Sequence, residues 1–215
     1  EAAPLVALGA EVERHRAREV VSQAAGALFA LLRSGGWRAR AAERVLSGRF
    51  EGAELSGSAD LVLEKAGRAG VLDLKLSNAR RFQEKLEGGQ ALQVALYAEL
   101  AREGGPLPPT GYFIVSRGEL LTVDPGAFPG ARELAGPSMA ETLAAAADAL
   151  RFWRDVLARG VVASRHEDLV DASARAAREA AGRPAPSAGP GAIEPSCRFC
   201  DYGALCGVTL REVAR

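Results

Sequence analysis

Apolar residues recur along this chain in two rhythms. From about Gly9 to Arg33, Val12, Val20, Leu28, Leu31 and Leu32 can share one helical face, and Gly35-Gly36 stops the helix. Ala39 to Phe50 reads as a strand. A second strand, Ala53 to Lys65, is interrupted by small residues near Gly57. The turn Ala66 to Gly70 leads into VLDLKL (Val71 to Leu76), where apolar and polar positions alternate, so these two strands form a hairpin. Leu92, Leu96 and Leu100 stand four apart and predict a helix over Gly88 to Ala101. After a Gly/Pro-rich loop, Gly111 to Ser116 and Glu119 to Asp124 read as a strand pair around Arg117-Gly118. A long Ala-rich helix over Ser138 to Arg159 and another over His166 to Ala181 precede a Pro/Gly linker, Arg183 to Pro195. Helix, three strands, helix, two strands, helices: this order predicts an α/β fold, a central mixed sheet flanked by helices.

Composition fits that picture. Of 215 residues, 48% are hydrophobic and 25% charged, which implies a packed domain rather than a disordered chain. No apolar run approaches the roughly 18 residues of a membrane span, and no secretory leader pattern opens the chain. The first residue, Glu1, reads as the start of a piece of something longer. The formal net charge is zero, whereas free-standing DNA-binding domains are usually basic. Phosphate binding needs only a local basic surface, and carboxylates that hold divalent cations create their own positive field. Three cysteines, Cys197, Cys200 and Cys206, lie within ten residues. That is no disulfide framework; it fits a metal or cluster site in a reducing, cytoplasmic setting.

The candidate chemistry sits on the predicted hairpin. Asp60 stands on one strand and Asp73 on its partner. Lys75 follows two residues later, so Asp73 and Lys75 leave the same face. Two acids and a lysine at a strand crossing are the parts that phosphodiester hydrolysis needs. Carboxylates hold Mg²⁺ or Mn²⁺, the ion polarises the phosphate and activates water, and an ammonium offsets developing charge. An acid–x–lysine strand is commonly just a solvated face, but here Leu72, Leu74 and Leu76 occupy the opposite side. The small residues Gly57-Ser58-Ala59 leave space beside Asp60. On the following helix Gln93 and Tyr97 share a face, with Gln90 one turn before.

At these residues the chain resembles the PD-(D/E)XK nucleases of the RecB/AddB branch. GSAD (Gly57 to Asp60) is similar to the first acidic motif, VLDLK (Val71 to Lys75) to the second acid and lysine, and QVALY (Gln93 to Tyr97) to the Gln-x-x-x-Tyr motif. The stretch from Asp73 to Ala98 resembles AddB-like subunits of bacterial helicase-nucleases. The resemblance implies a restriction-endonuclease-like core over residues 1–182 and a tail over 183–215 that packs on it. It implies catalytic roles for Asp60, Asp73, Lys75, Gln93 and Tyr97. It also implies a third metal ligand from an upstream helix, where Glu13 fits the spacing after Gly9 and His15 keeps the usual residue type. Glu43 lies on a strand where relatives often carry a glutamate.

CRFCDYGALC resembles the C-terminal part of the 4Fe–4S staple of AddB-like nucleases. The fourth cysteine of that staple is absent from this chain, so the three thiolates hold a labile cluster or Zn²⁺, or stand free. Arg80, Arg81, Lys85 and Gln90 are candidate DNA contacts. Three readings follow. The first is the exonuclease domain of a helicase-nuclease, acting on single-stranded or unwound DNA ends in double-strand-break repair beside an AddA-like helicase. The second is a stand-alone iron–sulfur exonuclease of the CRISPR-adaptation type. The third is a non-catalytic DNA-binding or assembly module.

Overall fold

The structure, a computed structural model, describes residues 11–162 and 170–186. Helix α1 (Glu11–Ser34) precedes strands β1 (Arg38–Phe50), β2 (Ala53–Lys65) and β3 (Arg68–Lys75). Helices α2 (Ala79–Glu87) and α3 (Leu92–Ala101) lead to strands β4 (Thr110–Ile114), β5 (Glu119–Thr122) and β6 (Arg132–Glu133). Helices α4 (Met139–Ala158) and α5 (Val170–Ala181) complete the described elements.

The six strands form one sheet in chain order. β1, β2 and β3 pair antiparallel, β3 pairs parallel with β4, β4 antiparallel with β5, and β5 parallel with β6. The expected mixed sheet flanked by helices is therefore present. Both antiparallel turns in the first half are two residues long. Glu51 and Gly52 have φ of 49° and 80°, Ala66 and Gly67 48° and 76°, the pair of positive angles that a tight right-twisting hairpin demands. The second turn is thus shorter than the Ala66 to Gly70 expected from sequence, because Arg68 to Gly70 already pair with Leu63 to Lys65. The small residues at Gly57 do not interrupt β2.

Each face of the sheet buries a different set. On one, Ala24, Leu28 and Leu32 of α1 pack on Leu63, Leu72, Phe113 and Leu120. Val12 and Val20, expected on the buried stripe, are 57% and 37% exposed, since only the later turns of α1 meet the sheet. On the other face, Leu86 of α2 and Val94 and Ala95 of α3 cover Tyr112, Ile114 and Leu121. Leu46, Ala59, Val62 and Val71 pack beside them with Tyr97. β3 alternates between the two: Val71 buries on the α3 side, Leu72 on the α1 side. Leu76 lies beyond the strand and is 68% exposed, so it fills no face.

The segment after β3 differs from its sequence reading. Residues 79–87 form α2, which the charged ARRFQEKLE run concealed, although Ala79, Phe82 and Leu86 have helical spacing. β6, only two residues long, was also unexpected.

Two compact units divide at Leu143 and Ala144. In the second, Phe152, Val156 and Ala177 form a small core with Trp153 at its margin, and Arg183 pairs with Asp148 at 3.0 Å. Trp37 and Trp153 are packing residues, as their types suggest. Gly9, His166 and everything from residue 187 on, including the cysteines, lie outside the described residues. Among the described residues no helix is long and apolar enough to cross a membrane.

Candidate active site

The C-terminal end of β3 carries Asp73 and Lys75. Parallel pairing sets Asp73 beside Tyr112 and Lys75 beside Ile114. β4 therefore supplies an apolar floor next to the polar pair. On the other side the β2–β3 ladder runs as far as Leu61 opposite Leu72. Just beyond it the Asp60 carboxylate enters the gap, and the backbone N–H of Leu74 donates to Asp60 Oδ2 at 2.7 Å. A charge-assisted bond from the backbone fixes that carboxylate more firmly than a side-chain contact would.

Asp73 is fully buried. Its Oδ2 lies 2.6 Å from Lys75 Nζ, yet neither carboxylate oxygen has a hydrogen-bond partner, so the contact is one of charge without alignment. Burial pushes the Asp73 carboxyl up from its ordinary value. The Lys75 ammonium opposes that rise, the charge of Asp60 adds to it, and Lys85 pulls down. Asp60, Asp73, Lys75 and Lys85 thus share one electrostatic neighbourhood. Burial, then the neighbouring Arg81 and Lys75, lower Lys85 from its ordinary value. The Tyr112 hydroxyl is raised by burial first and by Asp73 second.

The sequence-derived residues divide accordingly. Asp60, Asp73 and Lys75 come together. Gln93 and Tyr97 share a face of α3, where the Gln93 amide donates to the Tyr97 hydroxyl at 3.2 Å. Tyr97 also explains Gly57: a Cβ there would stand 2.8 Å from Tyr97 Cε1. Arg80 and Arg81 are exposed on α2, Arg80 tied to Glu84 at 2.8 Å. Gln90 is exposed in the link before α3, its backbone N–H donating to Lys85 O at 2.8 Å. Glu43 is exposed on β1 with φ of 49° and accepts from Ser58 Oγ at 3.4 Å.

Glu13 and His15 stand apart. Both are exposed near the start of α1, and His15 Nε2 lies 3.3 Å from Glu19. Among the described residues no three His, Cys, Asp or Glu side chains are arranged to hold a metal ion. The donor chemistry of the two central acids nevertheless fits one. The Lys75 ammonium meets one buried oxygen of Asp73 without an aligned hydrogen bond and leaves the other bare, and hard carboxylate oxygens in that state suit Mg²⁺ or Mn²⁺. Asp60 and Asp73 are the residues that would hold such an ion.

Sequence reasoning missed Phe82 and Tyr112. Phe82 packs on Tyr112 with ring centroids 4.8 Å apart, and the Lys75 and Lys85 ammoniums lie 5.5 and 5.8 Å from the Phe82 centroid. The signal for Phe82 was the helical spacing of its unnoticed helix. Tyr112 carried none, because the register of a parallel pair is invisible in sequence.

A comparison with curated proteins found no match. The family model of the PD-(D/E)XK nuclease superfamily matches residues 2–207, nearly the whole chain. With two acids and a lysine meeting at the β2–β3 hairpin of a mixed sheet, the chain belongs to the PD-(D/E)XK nuclease superfamily, a group of nucleases that typically use divalent metal ions.

Proposed function

We propose that this chain is a Mg²⁺- or Mn²⁺-dependent deoxyribonuclease, the exonuclease domain of an AddB-like helicase-nuclease that processes DNA ends in cytoplasmic double-strand-break repair. The observation that carries the reading is Asp73: a fully buried carboxylate without hydrogen bonds, 2.6 Å from a lysine and within the field of a second acid. A purely structural role would leave its oxygens satisfied. A bound divalent ion would supply Lewis acidity and positive charge at the phosphate.

The chain's own residues divide the remaining work. Asp60, locked by the Leu74 N–H, presents a fixed carboxylate. Lys75 holds its ammonium beside Asp73 and stabilises negative charge growing on the phosphate oxygens. The Tyr112 and Phe82 floor keeps bulk water from one side and strengthens those charges. Gln93 and Tyr97, bonded to each other, line the approach of the strand, and Arg81, Lys85 and Gln90 contact its phosphates. Either Glu13 or His15 completes the metal shell only if the first turns of α1 rearrange. The cysteine tail carries a 4Fe–4S cluster in the longer protein, and an AddA-like helicase delivers unwound single strands.

The test is degradation of linear single-stranded DNA with Mg²⁺ or Mn²⁺. The parent should cut, EDTA should stop it, and Asp73→Ala and Lys75→Ala should each lose at least about a hundredfold in rate. Cutting that survives both substitutions would place the chemistry elsewhere.

A further inference from the structure

Lys75 and Lys85 come from different elements, β3 and α2, yet both ammoniums stand over one aromatic ring, at 5.5 and 5.8 Å from the Phe82 centroid. The ring is itself fixed, since it packs on the buried Tyr112 at 4.8 Å. Arg81 adds a third cation to the neighbourhood of Lys85. Like charges gathered at a partly dry site repel one another; Asp73 offsets part of that cost, and a phosphate would offset more. The carboxylate beside Lys75 is Asp73, whose oxygens are the ones a divalent ion would take. An ammonium carries three N–H donors, so the one that faces Asp73 leaves others on Lys75 for a tetrahedral anion shared with Lys85. The face of an aromatic ring attracts both ammoniums without competing for their hydrogen bonds, so their donors stay free for phosphate oxygens.

We infer that Phe82 is a positioning residue whose ring holds Lys75 and Lys85 as a two-ammonium grip on a single phosphodiester phosphate of a DNA strand. The inference rests on the nuclease reading for its ligand but concerns binding, which can be measured without cleavage. Phe82 touches neither phosphate nor metal; it acts through the two lysines.

The experiment is fluorescence anisotropy of a labelled single-stranded oligonucleotide with the whole chain in EDTA, repeated across a salt series. Lys85→Ala and Phe82→Leu should each weaken binding about tenfold at low salt and lower the log K against log salt slope by about 0.7, the value of one phosphate contact on a single strand. Phe82→Tyr, which keeps the ring, should retain both affinity and slope. In a Phe82→Leu background, Lys85→Ala should add little. If Phe82→Leu does not fold, Lys85→Ala decides: an unchanged slope overturns the grip. Loss of affinity in Phe82→Leu at unchanged slope also overturns it, because that is what a mere packing defect would give. If the slopes behave as expected but the parent never cuts DNA with metal, the nuclease reading fails and the phosphate grip stands. If the parent cuts and the slopes do not move, the grip fails alone.

Discussion

At the scale of single residues, the centre is a place where the fold gives up stability. Burial raises Asp73 above its ordinary value near 3.8, so its ionised form disfavours the folded state. The sign follows: this group costs nothing below that value, and stability is lost as pH rises from it through the raised folded value. Asp73→Asn should therefore melt higher than the parent in chelator, by roughly 2–4 °C for each 1 kcal/mol regained. The gap should widen as pH rises from about 4 through the raised folded value. Adding Mn²⁺ should lift the melting temperature of the parent and not that of the variant. A parent that outlasts the variant in EDTA at pH 8 would mean that the Lys75 ion pair outweighs desolvation. Sequence could name Asp60, Asp73 and Lys75 because a two-residue offset puts side chains on one strand face. It could not distinguish Glu13 from His15, since nothing in their spacing says which turns of α1 reach the sheet.

Among elements, the junction of β2 and α3 makes the motif residues depend on one another. Gly57 is a glycine for space rather than for backbone freedom: the Tyr97 ring occupies the volume its side chain would need. Gly57→Val should cost about 1–3 kcal/mol and displace Tyr97 from its bond with Gln93. Tyr97→Ala opens that volume, so the double variant should be more stable than the sum of the singles predicts, by about 0.5 kcal/mol or more in denaturant unfolding. Additive losses would separate the two sites. The hairpin of β2 and β3 was legible because alternation over Val71 to Leu76 has a period of two. α2 was not, since its three apolar residues are outnumbered by charges, and β6 was not, since two residues hold it only through pairing with β5. Sheet order is fixed by contacts between segments distant in sequence, which composition and spacing do not encode.

For the whole molecule, zero net charge limits how far electrostatics reach. Zero net charge supplies no long-range pull toward nucleic acid, so the proposed reading rests on local cations, Lys75, Lys85 and Arg81. If Lys75 and Lys85 share one phosphate of a single strand and Arg81 takes a second, the slope of log K against log salt should be about −1.4, and raising salt from about 50 to about 200 mM should weaken binding about sevenfold. A slope far steeper would reveal a second basic track. The mixed sheet with helices on both faces was foreseeable from the element order alone. The division at Leu143 and Ala144 was not, because α4 runs through it as an uninterrupted helix with no Gly or Pro to mark the place.

The bond from the Leu74 N–H to Asp60 Oδ2 makes one backbone proton a witness to the state of the centre. A proton shared with an ionised carboxylate is deshielded, and its resonance moves when that carboxylate is neutralised or its electrons are drawn elsewhere. In an amide spectrum the Leu74 signal should lie far downfield in chelator and shift on titration with a diamagnetic divalent ion such as Mg²⁺. Occupancy of the centre then becomes readable in the intact protein, with no nucleic acid present and no bond broken.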